Sequence, residues 1–259
     1  MKNVLKEKLA NGGKPIGTFF ELGSPSVVEA LGRTGLDFVI LDNEHGPFEA
    51  ESTRDFIRAS ENSGLCPLAR VRESSRPAVL KLLDIGAQGL IIPDVHNVEQ
   101  VKELISYAKY APVGKRGFCP SRKDGWGFDE SAAQSVAGQM EYWNHETLLI
   151  PQCETPGALE HIEEIVSLDG VDGIFIGPFD LSISMGIPGQ FDKPEFQAAL
   201  RRVLDACHAA GKFCIYFTVN AAAVPEGFRQ GFDALAYSLD ASVLIQAYRD
   251  ILSGIRAAL

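Results

Sequence analysis

The feature that most constrains this chain is an alternation repeated eight times. Short apolar runs with strand character stand at "KPIGTFFEL" (14–22), "DFVILDNEH" (37–45), "CPLARVRE" (66–73) and "GLIIPDV" (89–95). Four more follow at "ETLLIPQCE" (146–154), "GVDGIFIGP" (170–178), "KFCIYFTV" (212–219) and "ALAYSLD" (234–240). Between them lie stretches whose apolar residues recur at helical spacing, such as "SSRPAVLKLLDIGA", "VEQVKELISYAKYA" and "PEFQAALRRVLDACHAAG". Strands covered on both faces read as unbroken apolar runs, and strand–helix alternation builds parallel sheets. Eight such units in 259 residues predict an α/β protein: a single-domain (β/α)8 TIM barrel spanning 1–259, ending in a helix from about 241 to 259. A doubly wound open sheet is the alternative, and it has no need of eight strands.

Composition narrows the function classes. Apolar residues make up 46% of the chain, enough to fill one barrel core. The formal net charge of −10 argues against a nucleic-acid surface, which needs a basic stripe. No stretch reaches the roughly 18 consecutive apolar residues of a membrane span. The opening "MKNVLKEKLANGGKPIG" lacks the apolar segment of a signal peptide. A soluble cytoplasmic protein is expected, with no nucleic-acid or membrane partner. Its five cysteines (Cys66, Cys119, Cys153, Cys207, Cys214) are odd in number and scattered, which fits neither a disulfide framework nor a zinc site.

Glycine gives the barrel a direction. "RTGLDF", "NSGLCP", "DIGAQG", "AAGKF" and "RQGFDA" place Gly where a helix ends and the next strand begins. These turns mark the bottom, so the other strand ends form the top rim, where active sites of this fold lie. Residues passing that filter are Asp42, Glu44 and His45 after strand 2, and Arg70 and Arg72 on strand 3. Gln152 and Glu154 follow on strand 5, Asp180 after strand 6, and Ser238 with Asp240 at strand 8. By period-two alternation Arg70 and Arg72 share a face, as do Gln152 and Glu154, with Cys153 opposite.

Charged groups inside a barrel must pair, bind a metal or bind a ligand. One reading is a structural Arg70–Glu154 ion pair. The other is a site where carboxylates hold a cation and arginine holds an anion. Glu154 and Asp180 are oxygen donors, and Cys153 beside Glu154 points to the other face, so the pair favours a hard ion such as Mg²⁺ or Mn²⁺. Imine chemistry is disfavoured: Lys14 and Lys212 open their strands at the bottom, and Lys115 and Lys123 lie in a long loop. His96, His145, His161 and His208 read as surface or capping residues, with His96 nearest the mouth.

Taken in order, "GLDFVILDNEHGPF", "LLDIGAQGLIIPDVHNVEQV", "PVGKRGF", "IPQCETPGALEHIEEI" and "GVDGIFIGPFDLSISMG" resemble the HpcH/HpaI family of class II pyruvate aldolases. Within it stand the 4-hydroxy-2-oxoheptanedioate and 2-keto-3-deoxy sugar-acid aldolases. The resemblance covers most of the chain. It implies a lyase using Mg²⁺, Mn²⁺ or Co²⁺ that cleaves a 2-oxo-4-hydroxy acid to pyruvate and an aldehyde through a metal-stabilised enolate. Glu154 and Asp180 then look like metal ligands, and His45 like the acid/base with Asp42 orienting it. Arg70 holds the pyruvate oxygens, Gln152 lines the pocket, and backbone near Gly177, Pro178, Phe179 and Asp180 receives the carboxylate. A free imidazole titrates near ~6.5, suited to proton transfer at neutral pH. A homohexamer, a trimer of dimers with the final helix on a neighbour, is also implied.

The chain departs from the family at Phe19, at the bulky "CIYFTVN", at "AYSLD", and in the polar segment "GFCPSRKDGWGFDE" (117–130), expected here to be a top loop shaping the acceptor pocket. Glu44 has two readings: ordering metal-bound water, or supporting the turn. Two other functions stay open, a 2-oxo acid decarboxylase or carbon–carbon ligase using the same enolate, and a non-catalytic barrel that binds 2-oxo acids.

Overall fold

The computed structural model describes residues 2–129 and 135–259. Its strands are β1 (Ile16–Phe20), β2 (Phe38–Asp42), β3 (Cys66–Arg70), β4 (Gly89–Ile92), β5 (Leu148–Cys153), β6 (Gly173–Ile176), β7 (Phe213–Thr218) and β8 (Ala234–Leu239). They close in sequence order, β8 back onto β1, and each neighbouring pair is parallel. The eight expected runs are these strands, each run overshooting its strand where the backbone leaves the sheet. Helices α1 (Val4–Ala10), α2 (Pro25–Leu31), α3 (Ala50–Asn62), α4 (Arg76–Asp84), α5 (Val98–Ala108) and α6 (Val136–Glu146) belong to the first half. In the second half come α7 (Pro156–Glu160), α8 (Ile162–Ser167), α9 (Pro178–Ser184), α10 (Pro194–Ala209), α11 (Ala223–Gln230) and α12 (Asp240–Ala257). No helix of the described residues is long and apolar enough to cross a membrane.

Two apolar cores follow from the period-two geometry of strands. Phe38, Ile40, Cys66, Leu68, Leu148, Ile150, Phe175 and Ile215 point inward and fill the barrel. Val39, Leu41, Ala69, Leu149, Cys153 and Cys214 point outward against the helices. Burial raises the thiol pKa of Cys66 and Cys153, which behave as packed hydrophobes. Glycine sets how tightly the interior closes. A Cβ on Gly17 would come within 2.3 Å of the Phe38 ring, its partner in the β1–β2 register.

The inward rows decide what reaches the top. On β2 the row Phe38, Ile40 is continued by Asp42, and on β3 the row Cys66, Leu68 by Arg70. Asp42 and Arg70 are register partners. The row Leu148, Ile150 of β5 is likewise continued by Gln152. Each apolar row thus ends in a polar side chain at the rim.

Two expectations are corrected. Segment 117–130 is not at the top: Arg122 donates to the carbonyl of Ile85 at 3.1 Å, and Lys123 lies 3.8 Å from Asp84. Both partners lie at the end of α4, just before β4 begins. The segment follows α5 rather than a strand, so the chain has already returned to the bottom; its last residue, Glu130, lies outside the described residues. Arg72 does not share the inward face of Arg70, because β3 ends at Arg70; it pairs with Glu49 at 2.8 Å at the surface. The final helix leaves its own barrel after Asp240, with Leu244, Ile245, Tyr248, Ile251 and Ile255 exposed.

Gly17→Ala forces a methyl into the Phe38 ring, and overpacking of this kind costs about 1–3 kcal/mol. A lowered urea midpoint with an unchanged slope is the expected result.

Candidate active site

Arg70 is the hub of the rim. Its Nε and Nη2 donate to the two carboxylate oxygens of Asp42 at 2.9 and 2.6 Å, a bidentate pair in which Asp42 is fully buried. Its Nη1 lies 3.1 Å from Glu44 Oε2. The guanidinium stacks on Phe19, 4.8 Å from the ring centroid, and Phe19 packs edge-on against Phe175 and Phe217. Burial opposes the charge on Arg70, but the hydrogen bonds and charge of Asp42 outweigh it and hold the pKa above its usual value.

This geometry redirects Asp42. Its Oδ1 accepts the backbone N–H groups of Glu44 at 3.1 Å and His45 at 3.3 Å, so it shapes the turn carrying the histidine. The expected carboxylate–imidazole contact gives way to Arg70, because the β2–β3 register sets Asp42 beside the arginine. His45 is two-thirds exposed, with Nε2 3.9 Å from Glu44 Oε2. The Arg70–Glu154 pair is replaced in the same way: arginine is occupied by Asp42 and Glu44.

Glu154 is therefore buried without a salt-bridge partner among the described residues. Its Oε1 accepts the N–H of Asp94 at 2.8 Å, and its Oε2 accepts from Gln152 Nε2. Asp94 presents that N–H from a left-handed backbone at φ 55°, a conformation costing about 1–3 kcal/mol in a residue other than glycine. Burial raises the Glu154 carboxyl to about 7 despite those donors, and Asp180 and Glu44 add to the rise. Gly177 completes the cradle. A Cβ there would sit 2.7 Å from Glu154 Oε2 and 2.8 Å from Gln152 Nε2.

The donor set fits a hard divalent ion. Glu154 and the exposed Asp180 line one opening, while the buried oxygen Gln152 Oε1 has no hydrogen-bond partner among the described residues. A hydrated cation answers both the surplus of carboxylates and the oxygen left without a donor. Among the described residues no group of three His, Cys, Asp or Glu side chains could hold an ion. An ion here would rest on two carboxylates and keep water elsewhere, as Mg²⁺ does.

The opening has two lobes. One, of about 320 Å³, is mainly apolar and lined by Phe19, Glu21, Arg70, Gln152, Phe175, Gly177, Pro178, Phe179, Phe217 and Leu239, among others. The other, of about 380 Å³, is polar and includes Glu44, Arg72, Asp94, Glu154 and Thr155. His45 and Asp180 line both. No lysine lines either lobe; Lys14 and Lys212 reach the carbonyls of Phe232 and Val171 at the bottom. His96 rests on Asp94 at 2.8 Å, and His145, His161 and His208 contact Glu146, Glu164 and Asp233. Sequence reasoning missed Glu21, Asp94, Phe217 and Leu239 as lining residues. Alternation from Phe19 was signal enough for Glu21.

With this geometry in view, known proteins become informative. The family model for HpcH/HpaI aldolase/citrate lyase matches residues 15–247. A hydroxypyruvate/pyruvate aldolase of Roseobacter denitrificans is 30% identical over 251 residues, covering 96% of this chain and 95% of the relative. A 2-keto-3-deoxy-L-rhamnonate aldolase of Klebsiella pneumoniae is 31% identical over 249 residues, covering 95% and 91%. The crystal structure of an HpcH/HpaI aldolase from Desulfitobacterium hafniense superposes with a TM-score of 0.89 at 31% identity, over 97% of this chain and 96% of that one.

Asp42→Ala strips the buried guanidinium of its bidentate partner and leaves it only Glu44, and breaking a buried pair costs about 3–5 kcal/mol. Chemical denaturation should show that loss for Asp42→Ala and a much smaller one for the exposed Arg72→Ala.

Proposed function

The chain belongs to the HpcH/HpaI aldolase/citrate lyase family and is a carbon–carbon lyase, and from that premise we propose a divalent-metal-dependent aldolase. It reversibly cleaves a 2-oxo-4-hydroxy acid to pyruvate, or a related 2-oxo acid, and an aldehyde. The observation that carries this reading is the convergence of Arg70, Gln152, His45 and Asp180 on one cavity, with Glu154 cradled beside it by Gly177 and Gln152.

Roles follow from position. Glu154 and Asp180 hold the ion, Mg²⁺, Mn²⁺ or Co²⁺. When bound, it supplies Lewis-acid polarisation of the 2-oxo group. Arg70 presents a fixed positive charge where negative charge grows on the keto oxygen. Asp42 acts through Arg70: it holds the guanidinium in one plane above Phe19, so the charge needs no reorganisation. Glu44 sits between Arg70 and His45, and burial raises its carboxyl above the usual range. Gln152 and the backbone of Gly177, Pro178 and Phe179 line the wall against the 2-oxo acid. His45, exposed on the boundary of both lobes, takes the proton of the C4 hydroxyl as the C3–C4 bond breaks. The electron pair passes into the 2-oxo acid as an enolate, and His45 returns its proton to C3, which becomes a methyl.

The reaction lies in the cytoplasm on this reading, where the five free cysteines stay reduced. The assembly is a homohexamer, a trimer of dimers, in which the apolar face of α12 lies on a second copy. Exposed Leu244, Tyr248 and Ile251 support it, since such a row is costly to leave in water.

Deuterium exchange into the pyruvate methyl, followed by NMR, tests the chemistry. Wild type with Mg²⁺, Mn²⁺ or Co²⁺ should exchange, EDTA should stop it, and His45→Ala and Gly177→Ala should each slow it by about 10²-fold. Full exchange in chelator would remove the metal. Light scattering checks the assembly: wild type should run as a hexamer of 28.1 kDa chains, and Leu244→Glu combined with Ile251→Glu should reduce it to smaller species.

A further inference from the structure

The apolar lobe holds one charged group that the reaction does not use. Glu21 follows Phe20 at the end of β1 and continues the inward row Gly17, Phe19. It lines the same cavity as Arg70, His45 and Asp180. Its carboxylate has no hydrogen-bond or ion-pair partner among the described residues, although it is half-buried. Yet its backbone is firmly held. The carboxylate of buried Asp240 accepts the N–H groups of Glu21 at 3.0 Å and Leu22 at 3.1 Å. Asp240 stands two residues after Ser238, which holds a left-handed backbone at φ 56°. A residue strained at the end of β8 and a buried cap together fix the backbone that carries this unpaired carboxylate to the mouth.

Topology says which part of a substrate it meets. In a closed barrel of eight strands in sequence order, β1 stands diametrically opposite β5. Gln152 and Glu154, on and just after β5, and Gly177, after β6, mark the side where the 2-oxo acid lies. Glu21, with Leu239 of neighbouring β8, forms the far wall, and Phe217 of β7 lines the flank between the two sides. His45, which handles the C4 hydroxyl, stands between. The far wall therefore faces the aldehyde-derived half of the substrate.

We propose that Glu21 is a specificity-determining residue that selects a neutral, hydroxyl-bearing acceptor aldehyde and rejects one carrying a carboxylate. This rests on the aldolase reading above. A carboxylate carried on this anchored backbone accepts hydrogen bonds from hydroxyl groups beyond the aldehyde carbon, and Phe217 and Leu239 cover the carbon chain. A second carboxylate would meet like charge, and the cation lining this lobe, Arg70, is already engaged by Asp42 and Glu44. Burial raises the Glu21 carboxyl, with Asp42 and Asp240 adding to the rise, so a hydroxyl donor relieves an ion that has too few partners. A site with a buried polar group discriminates by leaving that group unpaired when the wrong substrate enters.

The test compares kcat/KM for addition of pyruvate to glyceraldehyde, butanal and succinic semialdehyde in wild type, Glu21→Gln and Glu21→Leu. Selectivity is taken as ratios within each variant, so a general loss of active sites cancels. Wild type should prefer glyceraldehyde to both others by about tenfold or more. Glu21→Gln should raise succinic semialdehyde relative to glyceraldehyde by about tenfold, and Glu21→Leu should favour butanal by a similar factor. Ratios unchanged within twofold in both variants, while the pyruvate methyl still exchanges, would overturn the role of Glu21 alone. No exchange in the wild type with any of the three metals would overturn the aldolase reading, and this proposal with it.

Discussion

The Asp42–Arg70 pair is the contact from which the rest of the rim takes its arrangement. Two charges in a barrel mouth are costly to desolvate, so their net worth to stability is small or negative against apolar packing. Their value is positional. Register makes the two residues neighbours, and the bidentate contact holds the guanidinium over the Phe19 ring. That occupancy is what keeps Arg70 from neutralising Glu154. Had arginine turned to Glu154 instead, the strand 5 carboxylate would be quenched and nothing would attract a cation. Pairing on one side of the mouth thus creates the unbalanced charge on the other.

Backbone strain serves the same division. Asp94 and Ser238 are non-glycine residues held at positive φ, at the ends of β4 and β8. Asp94 uses the conformation to aim its N–H at Glu154. After Ser238 the chain delivers Asp240 to the end of β1, where it fixes Glu21 and Leu22. Gly177 contributes by omission, because a side chain there would fill the space beside Glu154 and Gln152. Positions so constrained are held by the barrel beneath them, whose inward rows are packed to the last apolar layer.

How much of this was legible in the sequence depends on the range of the interaction. The eight strands were readable because a doubly covered parallel strand is apolar throughout, and Asp42, Arg70, Gln152 and Glu154 because alternation carries polar residues inward past the last apolar one. What was not readable was which neighbour each would choose. Asp42 is three residues from His45 in sequence, and nothing local signals that the β2–β3 register puts Arg70 closer. Segment 117–130 was assigned to the top by its polarity, although it follows the helix at 98–108 and must already have returned to the bottom. Helix 136–146 shows little amphipathic patterning to reveal it, so the whole stretch read as one loop. Glu21 needed the alternation used on strands 3 and 5 to be carried one strand further.

The aromatic layer explains why such a site sits on so apolar a floor. Phe19 lies under Arg70, and Phe175 and Phe217 pack edge-to-face against it. They remove water from below the charges, and in a medium of lower effective dielectric each remaining interaction is stronger than it would be in solvent. That strengthens the pull of Arg70 on a developing negative oxygen. It also raises the cost of leaving Glu154 ionised and unpaired, which is the same pressure that draws in a cation. One layer of phenylalanine therefore sets both terms at once. Replacing it with polar groups would weaken the field at Arg70 while relaxing the need for an ion at Glu154, so on the proposed aldolase reading catalysis and metal affinity are coupled through a surface that carries no charge of its own.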